Sequence, residues 1–194
     1  MILFIDACAR DDSRTRELAS AVLSCIPVDG DDIETVNLYD YGLSPVDSDI
    51  IEKRDRALRD ADFSDPYYDP AKQFAAADDI IVAAPYWDLS FPAVLKLYIE
   101  NISVNGITFY YDENGISHGL CRAEKLYYVT TAGGEIGKNN FGYEYIKAVS
   151  LGLYGVKDAT CIRAVGLDMD SVDDRGVLEN AKSQLKGRLS SLCS

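Results

Sequence analysis

The sequence predicts an α/β domain in which a parallel β-sheet is covered by helices on both faces. Short apolar runs typical of buried strands, such as Met1–Ala7 and Asp79–Ala84, alternate with segments whose apolar residues recur at helical spacing. Alternation of this kind favours a doubly wound sheet with right-handed crossovers. A ligand of such a sheet binds at the carboxyl ends of the strands.

The predicted strands and helices follow one another along the chain. Strands are expected at Met1–Ala7, Ile33–Leu38, Asp79–Ala84, Lys125–Thr131 and Ala159–Val165. Helices are expected after Ser13, over Ala71–Ala77, from just after Ser90 to Ile102, over Phe141–Leu153 and from Leu178 to Leu189. Pro27 and Gly30 end the first helix, because proline lacks the N–H that a helix interior needs.

Two segments depart from the simple alternation. Between Asp40 and Pro70 the apolar pattern weakens, and we expect a surface excursion with a solvated helix around Ile50–Asp60. Near residues 106–120 an Asn-Gly pair separates Thr108–Tyr111 from Gly119–Leu120, which predicts an appended hairpin because Asn-Gly favours the required positive φ angles.

Composition limits the classes of function. A length of 194 residues suits a single domain over 1–194, and a net charge of −13 without any run of Lys and Arg argues against nucleic acid as a partner. The first residues do not resemble a signal peptide and no stretch resembles a membrane span, so we expect a cytoplasmic protein. Five cysteines with no C-x-x-C pair suggest reduced thiols rather than disulfides or a metal site.

The loops after the first, third and fourth strands should meet at the topological switch point of the sheet. In the first loop, Ser13, Arg14 and Thr15 stand at the start of a helix, where free N–H groups attract a phosphate. An equally good explanation is that Ser13 is a helix N-cap and that Arg14 and Thr15 are surface residues.

The other two loops offer aromatic rings and glycines. Tyr86 and Trp87 follow the third strand, and two adjacent aromatic residues at a strand end cannot both point into the core. Gly133 and Gly134 follow the fourth strand, where backbone N–H groups can approach a ligand closely because no Cβ intervenes.

With these loops in view, the chain resembles the family of flavodoxin-like quinone reductases and FMN-dependent azoreductases over nearly its full length. The most specific part is the segment A-P-Y-W-D-L-S-F-P-A-V-L-K-L-Y-I-E-N-I at residues 84–102, followed by G-I-T-F-Y-Y-D-E-N-G at 106–115 and T-A-G-G at 131–134. The resemblance implies a flavodoxin-like doubly wound five-stranded parallel sheet of order 2-1-3-4-5.

The resemblance also implies a cofactor site. Ser13, Arg14 and Thr15 would hold the FMN phosphate, Pro85, Tyr86, Trp87 and Asp88 would contact the flavin ring, and Thr131, Ala132, Gly133 and Gly134 would face its pyrimidine end. Tyr111 would line the substrate pocket. This chain departs from the family pattern because its first loop is shorter, Cys8 replaces the usual Ser, and Asp11 and Asp12 bring negative charge near the phosphate.

The implied activity is a ping-pong reaction in which NADH or NADPH gives a hydride to flavin N5 and a quinone or azo compound then takes its place. No side chain is expected to act as an acid or base, since the cofactor does the chemistry. The family forms homodimers with shared active sites, so we expect a dimer in which the tyrosine-rich hairpin crosses to the partner. Neither the natural acceptor nor a preference between NADH and NADPH follows from the sequence.

Two other classes of protein remain open from the residues. Cys8 to Thr15 also fits C-x5-R-[ST], the loop of cysteine-dependent phosphatases, in which a Cys8 thiolate would attack phosphorus, Arg14 would bind oxygens and Asp65 would be the general acid. An acidic flavodoxin-like electron carrier is the second alternative. His118, the one histidine, is expected in a solvated Gly-flanked turn and is given no role.

Overall fold

A central sheet of five parallel strands organises the computed structural model, which describes residues 1–27, 32–170 and 172–185. In chain order the strands are Ile2–Asp6 (β1), Ile33–Asn37 (β2), Asp79–Ala83 (β3), Phe109–Tyr111 (β4), Ser117–Gly119 (β5), Lys125–Thr131 (β6) and Asp158–Ala164 (β7). The helices are Arg14–Leu23 (α1), Ser48–Asp60 (α2), Asp69–Ala76 (α3), Ala93–Ile102 (α4), Phe141–Val149 (α5) and Asp174–Ser183 (α6).

The sheet order is β2-β1-β3-β6-β7, while β4 and β5 form a separate antiparallel pair. Leaving the hairpin out of the count gives the predicted order 2-1-3-4-5, so the predicted fold is confirmed. The switch point lies between β1 and β3, because the chain moves outward from β1 to β2 and then returns across β1 to β3.

Each central strand sends alternate side chains into two separate cores. Leu3 and Ile5 of β1 pack with residues of α3, α4 and α5 on one face of the sheet. Ile2 and Phe4 pack on the other face with Leu18 of α1 and with α6. Burial on both faces explains why β1 appears in the sequence as a continuous apolar run rather than an alternating one.

The helix after β3 begins later than predicted. The sequence suggested a start just after Ser90, whereas α4 begins at Ala93 and Pro92 is its N-cap, with extended backbone angles. A proline disfavours helical geometry in the residue before it, which keeps Phe91 outside the helix.

The solvated helix expected around residues 50–60 is confirmed as α2, of which only Ala57 is buried. The predicted positions Gly30 and Leu189 lie outside the described residues.

The hairpin lies at the amino edge of the sheet. The N–H groups of Arg122 and Glu124 donate to the carbonyls of Ala75 and Asp78, just before β3 begins. The Cys121 N–H donates to the Tyr154 carbonyl at 3.1 Å, in the π-helical turn Ser150–Tyr154 that follows α5. The hairpin is therefore held at the end of the sheet opposite to the loops that follow the strands.

Five of the strands between residues 2 and 164 share one sheet, and the single domain over 1–194 stays a prediction. Across the described ranges, the helices are all too short or too polar to cross a bilayer.

Candidate cofactor site

A cavity of about 460 Å³ opens at the carboxyl edge of the sheet, where the loops after β1, β3, β6 and β7 converge. Its wall consists of Ala9, Arg10, Asp12, Ser13, Arg14, Thr15, Pro85, Tyr86, Trp87, Thr131, Gly133, Asp168, Asp174 and Arg175. The three loops singled out in the sequence therefore share one cavity. The predicted residues Asp88, Ala132 and Gly134 adjoin it, and the loop after β7 contributes residues that the sequence did not indicate.

Direct hydrogen bonds join the three loops. The hydroxyls of Thr15 and Thr131 lie 2.6 Å apart, and both residues are buried. The Tyr86 N–H donates to the Thr131 carbonyl at 2.9 Å. Thr131 thus fixes the start of α1 and the aromatic loop relative to the end of β6, which gives the cavity a defined shape before any ligand binds.

A tight turn presents the aromatic residues. Trp87 and Ser90 exchange both backbone hydrogen bonds, at 3.1 and 2.7 Å, and the two residues between them, Asp88 and Leu89, have φ angles of 51° and 66°. Two positive φ angles define a type I′ turn, and a leucine in this region is strained. Trp87 remains 42% exposed, as expected for a ring that does not enter the core.

The first loop is organised by Arg16, a residue that the sequence analysis did not single out. Its guanidinium donates to the buried carboxylate of Asp6 and to the carbonyls of Cys8, Arg10 and Asp11, the latter three at 2.9, 2.7 and 2.9 Å. In a trans peptide the next N–H points opposite to the carbonyl. The N–H groups that follow these carbonyls therefore point away from Arg16.

At the start of α1, Ser13 serves both as a helix N-cap and as part of the cavity wall, the two roles that the sequence allowed. Ser13 is the N-cap of α1, since its hydroxyl accepts from the Arg16 N–H at 3.3 Å, and it also lines the cavity. The first turn of a helix leaves N–H groups without partners inside the helix. At the wall of a cavity such groups attract an anion.

Arg14 lines the cavity, but its guanidinium is engaged with the loop after β7. It donates to the Leu167 carbonyl at 3.0 Å and to the Asp168 carboxylate at 2.7 Å, and Asp174 lies 3.6 Å away. Arg14 was predicted to contact a phosphate. In the structure its positive charge is already neutralised by the carboxylates of Asp168 and Asp174.

The glycine loop after β6 is joined to the same segment. The Asp168 N–H donates to the Gly133 carbonyl at 2.9 Å, and the Leu167 N–H donates to the Ala132 carbonyl at 3.2 Å. The Asp168 side chain occupies the space that a Cβ at Gly133 would need. Gly133 therefore allows the loop after β7 to approach, whereas a Cβ at Gly134 would face open space.

The environment of Cys8 contradicts the phosphatase alternative. Cys8 is 2% exposed, its thiol faces the Ala83 carbonyl at 3.7 Å, and burial raises the pKa of this thiol to about 12. A thiol in this state is not a nucleophile at neutral pH. Asp65, the proposed acid, instead caps a short 3-10 helix through the Tyr67 N–H and pairs with Lys53.

Tyr111 does not reach the cavity of its own chain. It lies on β4 at the amino edge, where its ring is 55% exposed and packs edge-on against Phe109.

His118 was expected in a turn but lies in β5, where it pairs with Asp112 at 3.0 Å and stacks on Tyr110. The antiparallel register pairs His118 with Tyr110, which places His118 in a strand rather than in the expected turn.

A second hollow, of about 610 Å³, lies between β7, α5 and α6. It contains none of the predicted residues and is away from the switch point between β1 and β3, so it is a weaker candidate for the cofactor.

Comparisons with known proteins agree with this geometry. The sequence model of the flavodoxin-like fold matches residues 1–189. An FMN-dependent NADH:quinone oxidoreductase of Clostridium acetobutylicum is 37% identical over 166 residues, which cover 80% of this chain and 81% of that protein. A protein of the same description from Clostridium beijerinckii is 31% identical over 194 residues, covering 95% of this chain and 96% of that protein.

Solved structures show the same fold. A Bacillus anthracis azoreductase superposes with a TM-score of 0.81 at 22% identity, covering 96% of this chain and 97% of that one. An FMN-dependent NADH-azoreductase from the same species, crystallised with FMN, gives a TM-score of 0.78 at 22% identity and covers 100% and 99% of the two chains.

The fold defines a flavodoxin-like protein, and a cavity opens at the switch point of its sheet. The chain belongs to the flavodoxin-like family that contains the FMN-dependent NADH:quinone oxidoreductases. The family resemblance drawn from the three sequence motifs is thereby confirmed.

Proposed function

We propose that this protein binds FMN in the cavity at the carboxyl edge and uses NADH to reduce a quinone or an azo compound. The observation that carries the proposal is the convergence of the three predicted loops on one cavity, in a chain whose relatives are FMN-dependent NADH:quinone oxidoreductases. Neither the phosphatase nor the electron-carrier alternative is supported by these relatives.

The residues of the cavity fit FMN. A volume of about 460 Å³ is within the range of small-molecule sites. The start of α1 and the Ser13 hydroxyl provide hydrogen-bond donors for a phosphate, while Tyr86 and Trp87 provide flat apolar surface for a ring system. We assign the phosphate to Ser13–Thr15, the ring to Pro85–Asp88 and its pyrimidine end to Thr131–Gly134.

When bound, FMN supplies the hydride transfer between NADH and the acceptor. The chain itself has to hold and orient the ring. The Tyr86 N–H bond to Thr131 and the turn at Trp87 fix the aromatic wall, and Tyr86 is further held by its hydroxyl, which donates to the Asn139 carbonyl at 3.0 Å. Because both Tyr86 groups already donate to protein carbonyls, this wall orients the ring by its fixed shape.

The acceptor would approach from the exposed side of the aromatic turn. Trp87, Leu89 and Phe141 are 42%, 49% and 56% exposed, and the Phe141 N–H donates to the Leu89 carbonyl at 3.1 Å. These side chains form an apolar rim beside the cavity that suits a quinone or an aryl azo compound.

We further propose a homodimer with shared active sites. Tyr111 lies at the amino edge, so it can line a substrate pocket only in a partner chain. The hairpin exposes Tyr110, Tyr111, Ile116 and Leu120, an apolar surface that a partner would cover.

A cytoplasmic location is proposed on two grounds. The four described cysteines, Cys8, Cys25, Cys121 and Cys161, are free thiols, which suits a reducing compartment. NADH, the donor in the relatives' names, is also an intracellular metabolite.

The test uses the single tryptophan, Trp87, as a reporter. FMN is titrated into flavin-free protein while the Trp87 emission is recorded, since a ring stacked on the indole quenches its fluorescence. NADH is then added in the absence of oxygen. A quinone or an azo dye is added last, as the electron acceptor. We expect quenching, loss of the visible flavin absorbance with NADH, and recovery of the absorbance with the acceptor.

Two variants of the same turn control the test. Trp87→Ala lacks the tryptophan reporter, so its FMN binding is followed by the quenching of the fluorescence of FMN itself. The variant should bind FMN more weakly by up to about tenfold, since stacking contributes about 0.5–1.5 kcal/mol. Leu89→Ala, in which the altered side chain adjoins the cavity without lining it, should bind FMN as the natural chain does. Protein that neither binds FMN nor oxidises NADH would overturn the proposal.

A further inference from the structure

The arginines of the cavity differ in what their guanidinium groups already bind. Arg10, Arg14 and Arg175 all contribute to the wall. Arg14 bonds to Asp168 and the Leu167 carbonyl. Arg175 donates to both carboxylate oxygens of Glu17 at 3.0 Å. Two of the three cations in the wall are therefore neutralised by protein carboxylates before any ligand arrives.

Arg10 is the exception. Within residues 1–27, 32–170 and 172–185, its guanidinium forms no ion pair, although the residue lines the cavity and is exposed. A phosphate dianion needs positive charge nearby, particularly because Asp12, Asp168 and Asp174 place carboxylates in the same wall. Arg10 can provide that charge without giving up a partner, whereas Arg14 would have to leave Asp168.

The backbone around Arg10 is held in place for this role. Arg16 binds the carbonyls of Cys8, Arg10 and Asp11, which anchors the loop from the side opposite to the cavity. The N–H groups of the following residues then point away from Arg16, and Ala9 and Asp12 are in the cavity wall. Successive N–H groups that point the same way form a nest that binds anions.

We propose that Arg10 supplies the side-chain charge that neutralises the FMN phosphate, and that Arg14 instead clamps the start of α1 to the loop after β7. In this arrangement Arg14 contributes to the phosphate site through its backbone N–H in the first turn of α1. Arg16 is a positioning residue, since it acts on the loop rather than on the cofactor. The inference rests on the proposed FMN site.

The test compares FMN with riboflavin, which has the same ring system but lacks the phosphate. Dissociation constants for both are measured by titration of flavin-free protein, with no turnover involved. Arg10→Ala should weaken FMN binding by about tenfold and leave riboflavin binding within about twofold, because a lost charge-assisted hydrogen bond affects the phosphate alone. Arg10→Lys should restore most of the FMN affinity.

Arg14→Ala provides the matched comparison. It should lower the unfolding midpoint and weaken FMN and riboflavin by similar factors, since it releases the loop that shapes the wall. The inference is overturned if Arg10→Ala keeps the natural ratio of FMN to riboflavin affinity, or if Arg14→Ala alone abolishes that ratio. Failure of the natural chain to bind FMN at all would instead refute the proposed function.

Discussion

Arg16 joins the buried end of β1 to the cavity loop, so its replacement should be costly. Asp6 is 4% exposed and accepts hydrogen bonds from the Cys8 N–H and from Arg16. In Arg16→Met the Asp6 carboxylate stays buried without its cation, and breaking a buried ion pair in this way costs about 3–5 kcal/mol. The Arg16 side chain is 27% exposed, which favours the lower end, about 3 kcal/mol.

That loss is a large part of the stability of a typical domain, which is about 5–15 kcal/mol. Urea unfolding followed by circular dichroism measures it, and with a denaturant slope of about 1–3 kcal/mol/M the midpoint should fall by about 1–3 M. Arg175→Met is the control. Arg175 forms an exposed ion pair with Glu17, so that change should cost less than about 1 kcal/mol.

A double-mutant cycle with Asp6→Asn separates the ion pair from the loop contacts. If the buried carboxylate causes the loss, the double variant should be more stable than the sum of the single effects predicts, by about 1–3 kcal/mol. Strict additivity, or a loss below about 1 kcal/mol in Arg16→Met alone, would refute the assignment of Arg16 as the partner of a buried charge.

Two further predictions concern close packing. Burial raises the pKa of Cys8 to about 12, so this thiol should not react with a thiol reagent at neutral pH. The folded Cys8→Ala variant should therefore be labelled to the same extent as the natural folded chain. Lower labelling of the variant would show that Cys8 is accessible. A Cβ at Gly119 would overlap the Tyr154 and Gly155 backbone, which cannot move aside as a side chain can, so Gly119→Ala should lose about 2–3 kcal/mol in urea unfolding. Gly134→Ala, where a Cβ meets open space, should stay within about 1 kcal/mol, and equal losses at the two positions would contradict this explanation.

The sequence determined the fold because the strands carry their signal locally. A strand buried on both faces is a nearly continuous apolar run, so β1 and β3 are recognisable without any knowledge of their neighbours. Once helices and strands alternate, the switch point and the loops around it follow from topology. The motif at residues 84–102 then identified the family.

Small shifts in the predicted elements have local causes that the sequence shows only weakly. The turn at Trp87–Ser90 uses positive φ angles at Asp88 and Leu89, although leucine disfavours them. Pro92, as the N-cap, keeps Phe91 out of the helix, so α4 begins at Ala93. His118 carries flanking glycine on one side that suggested a turn, yet pairing with Tyr110 places it in a strand.

Only the tertiary structure decided which charged groups are available at the cavity. Arg14 and Asp168 are 154 positions apart, and Arg14 and Leu167 are 153 apart, so no local pattern links them. The guanidinium of Arg14, which binds carboxylates, differs electrostatically from that of Arg10, which lines the cavity without an ion pair to any residue that the structure describes, although only three residues separate them in the sequence. The sequence therefore determined which loops meet at the cavity, whereas long-range ion pairs determined which of their charged groups are already engaged, because those pairs form only when distant segments fold together.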